Sequence, residues 1–312
     1  MKKVYISVCL IFLAISGYSQ WTQLHCGIGK DFKSVYFTDV NTGYVVGEQG
    51  IIIKTTDGGN TWTQQTIPDN PWFFSVQFMK NGYEKIGYAA GSWGTVVKTT
   101  DAGLSWTKLN TGTKTDLHSI FFIDQYNGYA VGGDMLKHKN VMIKTTDGGA
   151  TWKIIDTPLD NIYNSICFID SKTGYLVGDN GTILQVLDAG KDFSSQAGST
   201  DKEINSVFFV NDKIGYIAGE IGVILKTTDA GEEWKVLPTG KTDHYYAIFA
   251  TSINNIFAVG YNCAIIQSTD GGATWTGTKG TPFDPTLKGI FFVNANTGYA
   301  VGERGKIMKY QK

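Results

Sequence analysis

Four acidic residues occupy the same place in a repeated pattern, and paired carboxyl groups are common in enzymes that cleave sugars. Glu48, Asp179, Glu220 and Glu303 each follow the last glycine of a Gly-Tyr-x-(Val/Ala)-Gly run. Two carboxyl groups about 5 to 9.5 Å apart form the usual machinery of a glycoside hydrolase. Acidic residues are also ordinary in solvated hairpin turns. The four acids therefore define an alternative function, a small glycoside hydrolase or lyase.

Other catalytic or metal-binding patterns do not occur in the sequence. There is no Gly-x-Ser-x-Gly nucleophile motif and no glycine-rich phosphate loop. The histidines share no zinc-ligand spacing with one another or with the cysteines; they are His25, His118, His138 and His244. An odd set of cysteines after residue 19 forms no disulfide framework: Cys26, Cys167 and Cys263. We expect no cofactor and no metal, and the sequence favours a protein that is not an enzyme.

An eight-residue segment recurs six times, at intervals of 41 to 46 residues. Its fullest form is Thr-Thr-Asp-Gly-Gly-x-Thr-Trp, and the copies are 55–62, 99–106, 145–152, 186–193, 227–234 and 268–275. The aspartate should fold over a hairpin and accept backbone N–H bonds, while the glycines adopt conformations that disfavour a Cβ atom. We assign this structural role to Asp57, Asp101, Asp147, Asp188, Asp229 and Asp270. The fourth copy has Leu187 and Phe193 in place of Thr and Trp, so it should be the least regular.

Two further patterns precede these segments, Ser-(Val/Ile)-x-Phe and then Gly-Tyr-x-(Val/Ala)-Gly, and the last glycine recurs seven times. Each unit is typical of four short β-strands separated by turns. Seven such units indicate an all-β fold, a single seven-bladed propeller over residues 20–312. The seventh unit lacks its fourth strand, and Trp21 lies 41 residues before Trp62. We therefore expect the N-terminal strand to complete the last blade and close the ring.

The eight-residue segment resembles the Asp-box, or bacterial neuraminidase repeat, of sialidases, sortilin-type receptors, xyloglucanases and photosystem II assembly-factor propellers. The assembly-factor propellers are the most similar. They share the Gly-Tyr-x-Val-Gly run, a following Gly-x-Ile and the Lys-Thr-Thr-Asp-Gly-Gly-x-Thr-Trp box along the whole chain after residue 19. In the Asp-box families, the box lies on the face opposite the ligand site. The resemblance thus implies a ligand site at the other mouth of the central channel.

The scarcity of arginine limits what this resemblance implies. Sialidases hold a carboxylate substrate with three arginines, because planar guanidinium groups bind carboxylates bidentately. Arg304 is the only arginine in this sequence. Sialidase activity is therefore excluded, and the arginine-rich patch of the assembly factors cannot form here. A role in a photosystem is not implied.

Individual function in a repeat protein depends on the positions where the units differ. The residues that open the inner strands should ring the channel mouth, and they are Lys33, Phe74, His118, Asn164, Asn205, Tyr246 and Lys288. Aromatic side chains often anchor ligands, and two clusters lie near these positions. We predict that the ligand-binding residues are Trp72, Phe74, Trp93, His118, His244, Tyr246 and Tyr261. For Trp72 and Trp93, packing on the core of their own blade is the alternative.

Residues 1–19 have the features of a cleaved export signal. Lys2 and Lys3 precede an apolar stretch over residues 4–17, and Ser19 belongs to a small-residue cleavage site. The stretch is too short to span a bilayer, so we expect a secreted or periplasmic monomer without a membrane span. The formal net charge of −1 gives no reason to expect nucleic-acid binding. The sequence favours a non-catalytic binding or assembly module that recognises a protein or glycan of the cell envelope or exterior.

Overall fold

The computed structural model describes residues 20–65, 67, 69–134, 139–196 and 200–312. These residues form seven four-stranded antiparallel sheets, and the inner strands of neighbouring sheets contact each other around a closed ring. The predicted seven-bladed propeller is confirmed. The export signal predicted for residues 1–19 lies outside the described residues.

In blades 1 to 6 the strand order follows the chain from the channel outward. In blade 7 the outermost strand is β1 (Gln20–Leu24), the first described strand of the chain. Blade 1 comprises β2 (Phe32–Phe37), β3 (Gly43–Gly47), β4 (Ile52–Thr55) and β5 (Thr63–Gln65). Blade 2 comprises β6 (Phe73–Phe78), β7 (Gly87–Gly91), β8 (Val96–Thr99) and β9 (Thr107–Leu109). Blade 3 comprises β10 (Leu117–Phe122), β11 (Gly128–Asp134), β12 (Lys139–Thr145) and β13 (Lys153–Ile154). Blade 4 comprises β14 (Tyr163–Phe168), β15 (Gly174–Gly178), β16 (Ile183–Leu187) and β17 (Asp192–Ser195).

Blade 5 comprises β18 (Ile204–Phe209), β19 (Gly215–Gly219), β20 (Ile224–Thr227) and β21 (Lys235–Val236). Blade 6 comprises β22 (Tyr245–Ala250), β23 (Ile256–Gly260), β24 (Ala264–Ser268) and β25 (Thr276–Thr278). Blade 7 is completed by β26 (Leu287–Asn294), β27 (Thr297–Gly302) and β28 (Ile307–Gln311). Short 3₁₀ turns connect the second and third strands of four blades, at Ser92–Gly94, Asp179–Gly181, Tyr261–Cys263 and Glu303–Gly305.

The ring closes as the sequence predicts. Strand β1 pairs antiparallel with β28, and Trp21 lies opposite Tyr310. The Trp21 ring also contacts Phe257 of blade 6 and Phe292 of blade 7, with centroids 6.4 and 6.0 Å apart. The N-terminal strand therefore supplies both backbone pairing and aromatic packing to the last blade.

Hydrogen bonds to the Asp-boxes join most neighbouring blades. The Tyr44 hydroxyl and the Lys54 ammonium group of blade 1 both donate to the Ala102 carbonyl in the Asp-box of blade 2, at 2.8 and 2.7 Å. Tyr44 also stacks on Phe78 of blade 2, with centroids 3.8 Å apart. Equivalent tyrosine–lysine pairs serve three further junctions: Tyr88 with Lys98, Tyr129 with Lys144, and Tyr299 with Lys309. The last of these joins blade 7 to blade 1.

Each regular Asp-box is held by its aspartate. In blade 3, Asp147 Oδ1 accepts the Thr151 N–H and the Thr145 hydroxyl, and Asp147 Oδ2 accepts the Thr151 hydroxyl. The bonds from Thr151 and Thr145 lower the pKa of Asp147 to about 2. In blade 4, the Asp188 carboxylate instead pairs with Lys191 at 2.9 Å. The carboxylate of Asp188 thus makes a different contact from that of Asp147, and the structural role of the six aspartates stays a prediction.

No helix in the described part of the chain is both long and apolar enough to cross a bilayer. The three described cysteines are free thiols: Cys26, Cys167 and Cys263.

Substituting Trp21→Ala tests closure of the ring. Loss of a large packed indole should lower the free energy of unfolding by about 3 kcal/mol, measured by guanidinium denaturation. Thr22→Ala, on the exposed side of the same strand, is the matched control and should change stability little. Equal stability of the two variants would show that β1 contributes only its backbone pairing.

Substituting Asp147→Ala tests the Asp-box. Its folded-state pKa of about 2 lies below the ordinary 3.8, so the ionised carboxylate stabilises the fold above about pH 4. That contribution is lost as the pH falls towards 2. The melting temperature of the variant should therefore lie below that of the parent at pH 7, and the gap should narrow between pH 4 and pH 2. Asp188→Ala, in the irregular box, should show a smaller gap. A gap that is constant with pH would argue against the carboxylate hydrogen bonds.

Candidate binding site at the channel mouth

Seven glycines allow the loops around the channel mouth to approach each other closely. A Cβ atom at Gly178, for example, would overlap the Ile162 carbonyl, which accepts a hydrogen bond from the Asp179 N–H. The seven glycines in this position are Gly47, Gly91, Gly132, Gly178, Gly219, Gly260 and Gly302. Their close approach brings the turn between the second and third strands of each blade against the loop that enters its first strand. The mouth thus has a uniform backbone that carries different side chains.

A cavity of about 520 Å³ opens at this mouth. It is lined by all seven residues that the sequence predicts: Lys33, Phe74, His118, Asn164, Asn205, Tyr246 and Lys288. Below them lies a ring of small residues, and five of its serines accept an N–H from the next blade, as Ser34 Oγ does from Val76 at 3.3 Å. The other four are Ser75, Ser119, Ser165 and Ser206. The serine hydroxyls therefore position the inner strands, and the ring above them is available to a ligand.

The structure brings part of each predicted aromatic cluster together. Phe74 and His118 make an edge-to-face contact across the junction of blades 2 and 3, with centroids 5.5 Å apart. His244 and Tyr261 are 6.3 Å apart within blade 6. The Lys288 ammonium group lies 3.3 Å from the centroid of Tyr246. The predicted binding role of these residues stays a prediction.

Trp72 and Trp93 are exposed, but they do not line the cavity. Ser92 connects their loops, because its hydroxyl accepts the Trp72 N–H at 2.9 Å. The two indoles make no ring contact with each other among the described aromatic pairs. Trp93 is 66% exposed and Trp72 is 44% exposed. Both side chains therefore lie at the surface beside the mouth, as separate groups.

The four repeated acids have different environments. Glu48 pairs with Lys33 at 3.2 Å, and Glu303 accepts the Thr286 N–H at 3.1 Å. Glu220 lies 3.3 Å from His244 Nδ1. Asp179 is partly buried, and this burial raises the pKa of its carboxyl group. The acids are thus divided between two sides of the mouth, blades 7 and 1 and blades 4 and 5.

A fifth acid, Glu203, joins Asp179 and Glu220 on blades 4 and 5. Its carboxylate accepts the Asn164 side-chain N–H at 3.1 Å. Burial, together with the nearby charges of Asp179 and Glu220, raises the pKa of Glu203. We call these three residues the acidic arc. Glu203 is not among the predicted site residues, because it stands outside the repeated turn position; its counterparts in blades 2 and 6 are Trp72 and His244, which could have drawn attention to it.

Burial lowers the pKa of His118 and thus favours its neutral form. Its Nδ1 lies 3.2 Å from the Tyr163 carbonyl. In the described part of the chain, no group of three or more His, Cys, Asp or Glu side chains is arranged to hold a metal ion.

The sequence matches the model of a known protein family, described as photosynthesis system II assembly factor YCF48, over residues 13–117, 149–243 and 239–311. The chain belongs to the YCF48 family. A solved structure described as YCF48 bound to D1 peptide is 18% identical, with a TM-score of 0.77 over 95% of this chain and 96% of that one. YCF48 from Cyanidioschyzon merolae is also 18% identical, with a TM-score of 0.77 over 93% of this chain and 98% of that one.

The GH74 enzyme of Niastella koreensis has the same fold over part of its length. It is 14% identical with a TM-score of 0.75, and the match covers 92% of this chain but 53% of the enzyme. These identities show a shared fold. A comparison with curated protein sequences finds no match.

Lys288 is partly buried at the mouth of this YCF48-family propeller, with its ammonium group over the ring of Tyr246. Burial lowers the pKa of its ammonium group to about 8, although Glu303 acts in the opposite direction. The contact with the Tyr246 ring is a cation–π interaction only while the amine is protonated. The charge at this side of the mouth therefore changes in mildly alkaline solution.

We expect Lys288 to titrate with a midpoint near pH 8. Reductive methylation with ¹³C-formaldehyde followed by NMR titration would measure it. One lysine resonance should shift near pH 8, and it should be missing from the Lys288→Gln variant but present in Lys309→Gln. A spectrum in which every lysine titrates near pH 10 would contradict the buried environment of Lys288.

Proposed function

We propose that this YCF48-family propeller is a non-catalytic binding module that holds a peptide segment of a protein partner across the channel mouth. The observation that carries the proposal is Trp93. Its backbone has a φ of 56°, in the left-handed region that bulky residues rarely adopt. Its indole is two-thirds exposed, so the packing of the propeller does not use it. Residues as different as Gln49, Asn180 and Ile221 adopt the same turn conformation in other blades, so the turn itself does not require an indole at this position.

The turn around Trp93 is held in place by the next blade. Asp116 Oδ1 of blade 3 accepts the Trp93 N–H at 2.8 Å. The same kind of bond joins Asp31 of blade 1 to the Arg304 N–H of blade 7. The indole is thus presented from a fixed backbone, which lowers the entropy that is lost when a ligand binds.

The charges around the mouth favour a peptide with basic side chains. Among the described ion pairs, no lysine or arginine is paired with the acidic arc of Asp179, Glu203 and Glu220. On the other side of the mouth, Lys33 is paired with Glu48. We choose a peptide as the ligand class because a similar YCF48 structure is described as bound to D1 peptide. With a single arginine and an acidic arc, this mouth suits a different, more basic partner.

We place this activity outside the cytoplasm, since residues 1–19 have the features of an export signal. The alternative remains a glycoside hydrolase or lyase. It is supported by the partial match to the GH74 enzyme and by burial of Asp179 and Glu203, which raises the pKa of both carboxyl groups, the direction that a general acid needs. A binding module requires fewer assumptions, since the GH74 enzyme is about twice as long as the matched region.

The proposal is tested with peptides selected from a phage-displayed random dodecapeptide library. Selected peptides should be rich in Lys or Arg and in aromatic residues. The double variant Trp72→Ala and Trp93→Ala should weaken their binding about thirtyfold, as for truncated hot-spot aromatics, with an unchanged melting temperature. Fluorescence anisotropy would measure the affinity. Leu104→Ala removes an exposed apolar side chain from the Asp-box face and is the matched control.

Three outcomes would contradict the proposal. Normal peptide affinity in the double variant would remove the tryptophans from the site. Binding on a glycan array, with no peptide selected, would identify a glycan ligand instead. Oligosaccharide cleavage that is lost in Glu203→Gln or Asp179→Asn would establish the enzyme.

A further inference from the structure

A belt of mainly aromatic side chains divides the central channel into two chambers. It lies three residues beyond the mouth ring in each blade and comprises Tyr36, Gln77, Phe121, Cys167, Phe208, Phe249 and Phe291. Tyr36 and Phe291 have centroids 4.6 Å apart, and Phe208 and Phe249 have centroids 4.4 Å apart. All members except Cys167 line cavities on both sides. The belt therefore forms the floor of each chamber.

The amide and thiol side chains of the belt, Gln77 and Cys167, contact the backbone. Gln77 donates to the Phe122 carbonyl at 3.1 Å and accepts the Phe122 N–H at 2.6 Å. Cys167 Sγ lies 3.9 Å from the Phe168 carbonyl. The belt consequently presents a surface of mainly aromatic character.

The chamber on the Asp-box side is the larger, at about 1010 Å³. Tyr83 and Tyr126 lie at its rim, 46% and 57% exposed, in the turns that connect the first and second strands of blades 2 and 3. The blade 2 turn runs from Met79 to Ile86 and is three residues longer than its counterparts. These extra residues carry an aromatic side chain to the rim of the chamber.

The Tyr36 hydroxyl has no hydrogen-bond partner among the described residues, although the side chain is 92% buried. Buried hydroxyl groups are nearly always paired, because water has been removed from them. The fold does not require this hydroxyl, since Phe occupies the same position in blades 3, 5, 6 and 7. Tyr36 also lines the larger chamber. The unpaired hydroxyl is therefore a candidate donor to a molecule in that chamber.

We propose that the chamber on the Asp-box side binds a small neutral aromatic molecule with a carbonyl or similar hydrogen-bond acceptor. The aromatic part would pack on the belt, and the acceptor would bond to the Tyr36 hydroxyl. The ligand body is neutral because the charged lining residues, Lys80, Glu84 and Asp124, belong to the turns at the rim. A cavity of this volume suits a small-molecule ligand. The site is separate from the peptide site proposed at the opposite mouth.

The test uses prodan, a neutral naphthalene ketone whose emission reports both the polarity around it and hydrogen bonding to its carbonyl. Titration into the full-length protein should give saturable one-to-one binding with a blue shift. Tyr36→Phe should weaken binding about three- to tenfold, the worth of one hydrogen bond, without lowering the melting temperature. Tyr83→Ala should also weaken it. Phe74→Ala, which removes an aromatic side chain from the other chamber, is the control and should leave it unchanged.

The absence of saturable prodan binding would overturn the proposal. So would equal affinity in Tyr36→Phe, or a loss of affinity in Phe74→Ala but not in Tyr83→Ala. Peptides selected at the opposite mouth should bind Tyr83→Ala normally, because Tyr83 lines only the chamber on the Asp-box side, so failure of either site is seen independently of the other.

Discussion

The carbonyl group of an Asp-box residue is the point at which most blades are bonded to the blade before them. The aspartate holds the hairpin in one shape, and that shape presents the carbonyl to a tyrosine and a lysine of the neighbouring sheet. Lys98 and Lys144 are partly buried there, and burial lowers the pKa of their ammonium groups. Blade 6 lacks the pair, having Phe257 and Gln267 instead. Its junction with blade 7 depends on Phe257 stacked on Phe292, 4.3 Å apart, and on Trp21 from the N-terminal strand.

Because the Asp-boxes and the mouth glycines both fix the backbone, side chains at the ends of the channel vary without altering the frame. The position of Trp93 shows this freedom. The equivalent residues with positive φ are Gln49, Asn180, Ile221, Asn262 and Arg304. A scaffold that accepts all of these in one strained turn conformation is stabilised elsewhere, by the inter-blade contacts. Recognition can then depend on side-chain identity alone.

The two ends of the channel differ in chemistry because the belt separates them. The mouth ring carries lysines, asparagines and a histidine, with acids in the surrounding turns. The chamber beyond the belt is walled by phenylalanine and tyrosine, with charges in its rim turns. One ring of seven β-sheets therefore offers a charged surface on one face and an apolar cavity on the other.

The sequence by itself determined the blade number, the strand pattern, the closure by Trp21 and the seven residues of the mouth ring. These features repeat at nearly constant spacing, and residues equivalent in the repeat occupy equivalent places in a closed ring. Tertiary structure alone decided which side chains meet. Glu203 joins Asp179, and among the described residues Trp72 makes no ring contact with Trp93 and the Tyr36 hydroxyl has no hydrogen-bond partner, although nothing in the local sequence predicts these outcomes. Glu203 and Asp179, for example, are 24 positions apart and belong to different blades, so their distance and burial are set by the packing of whole sheets.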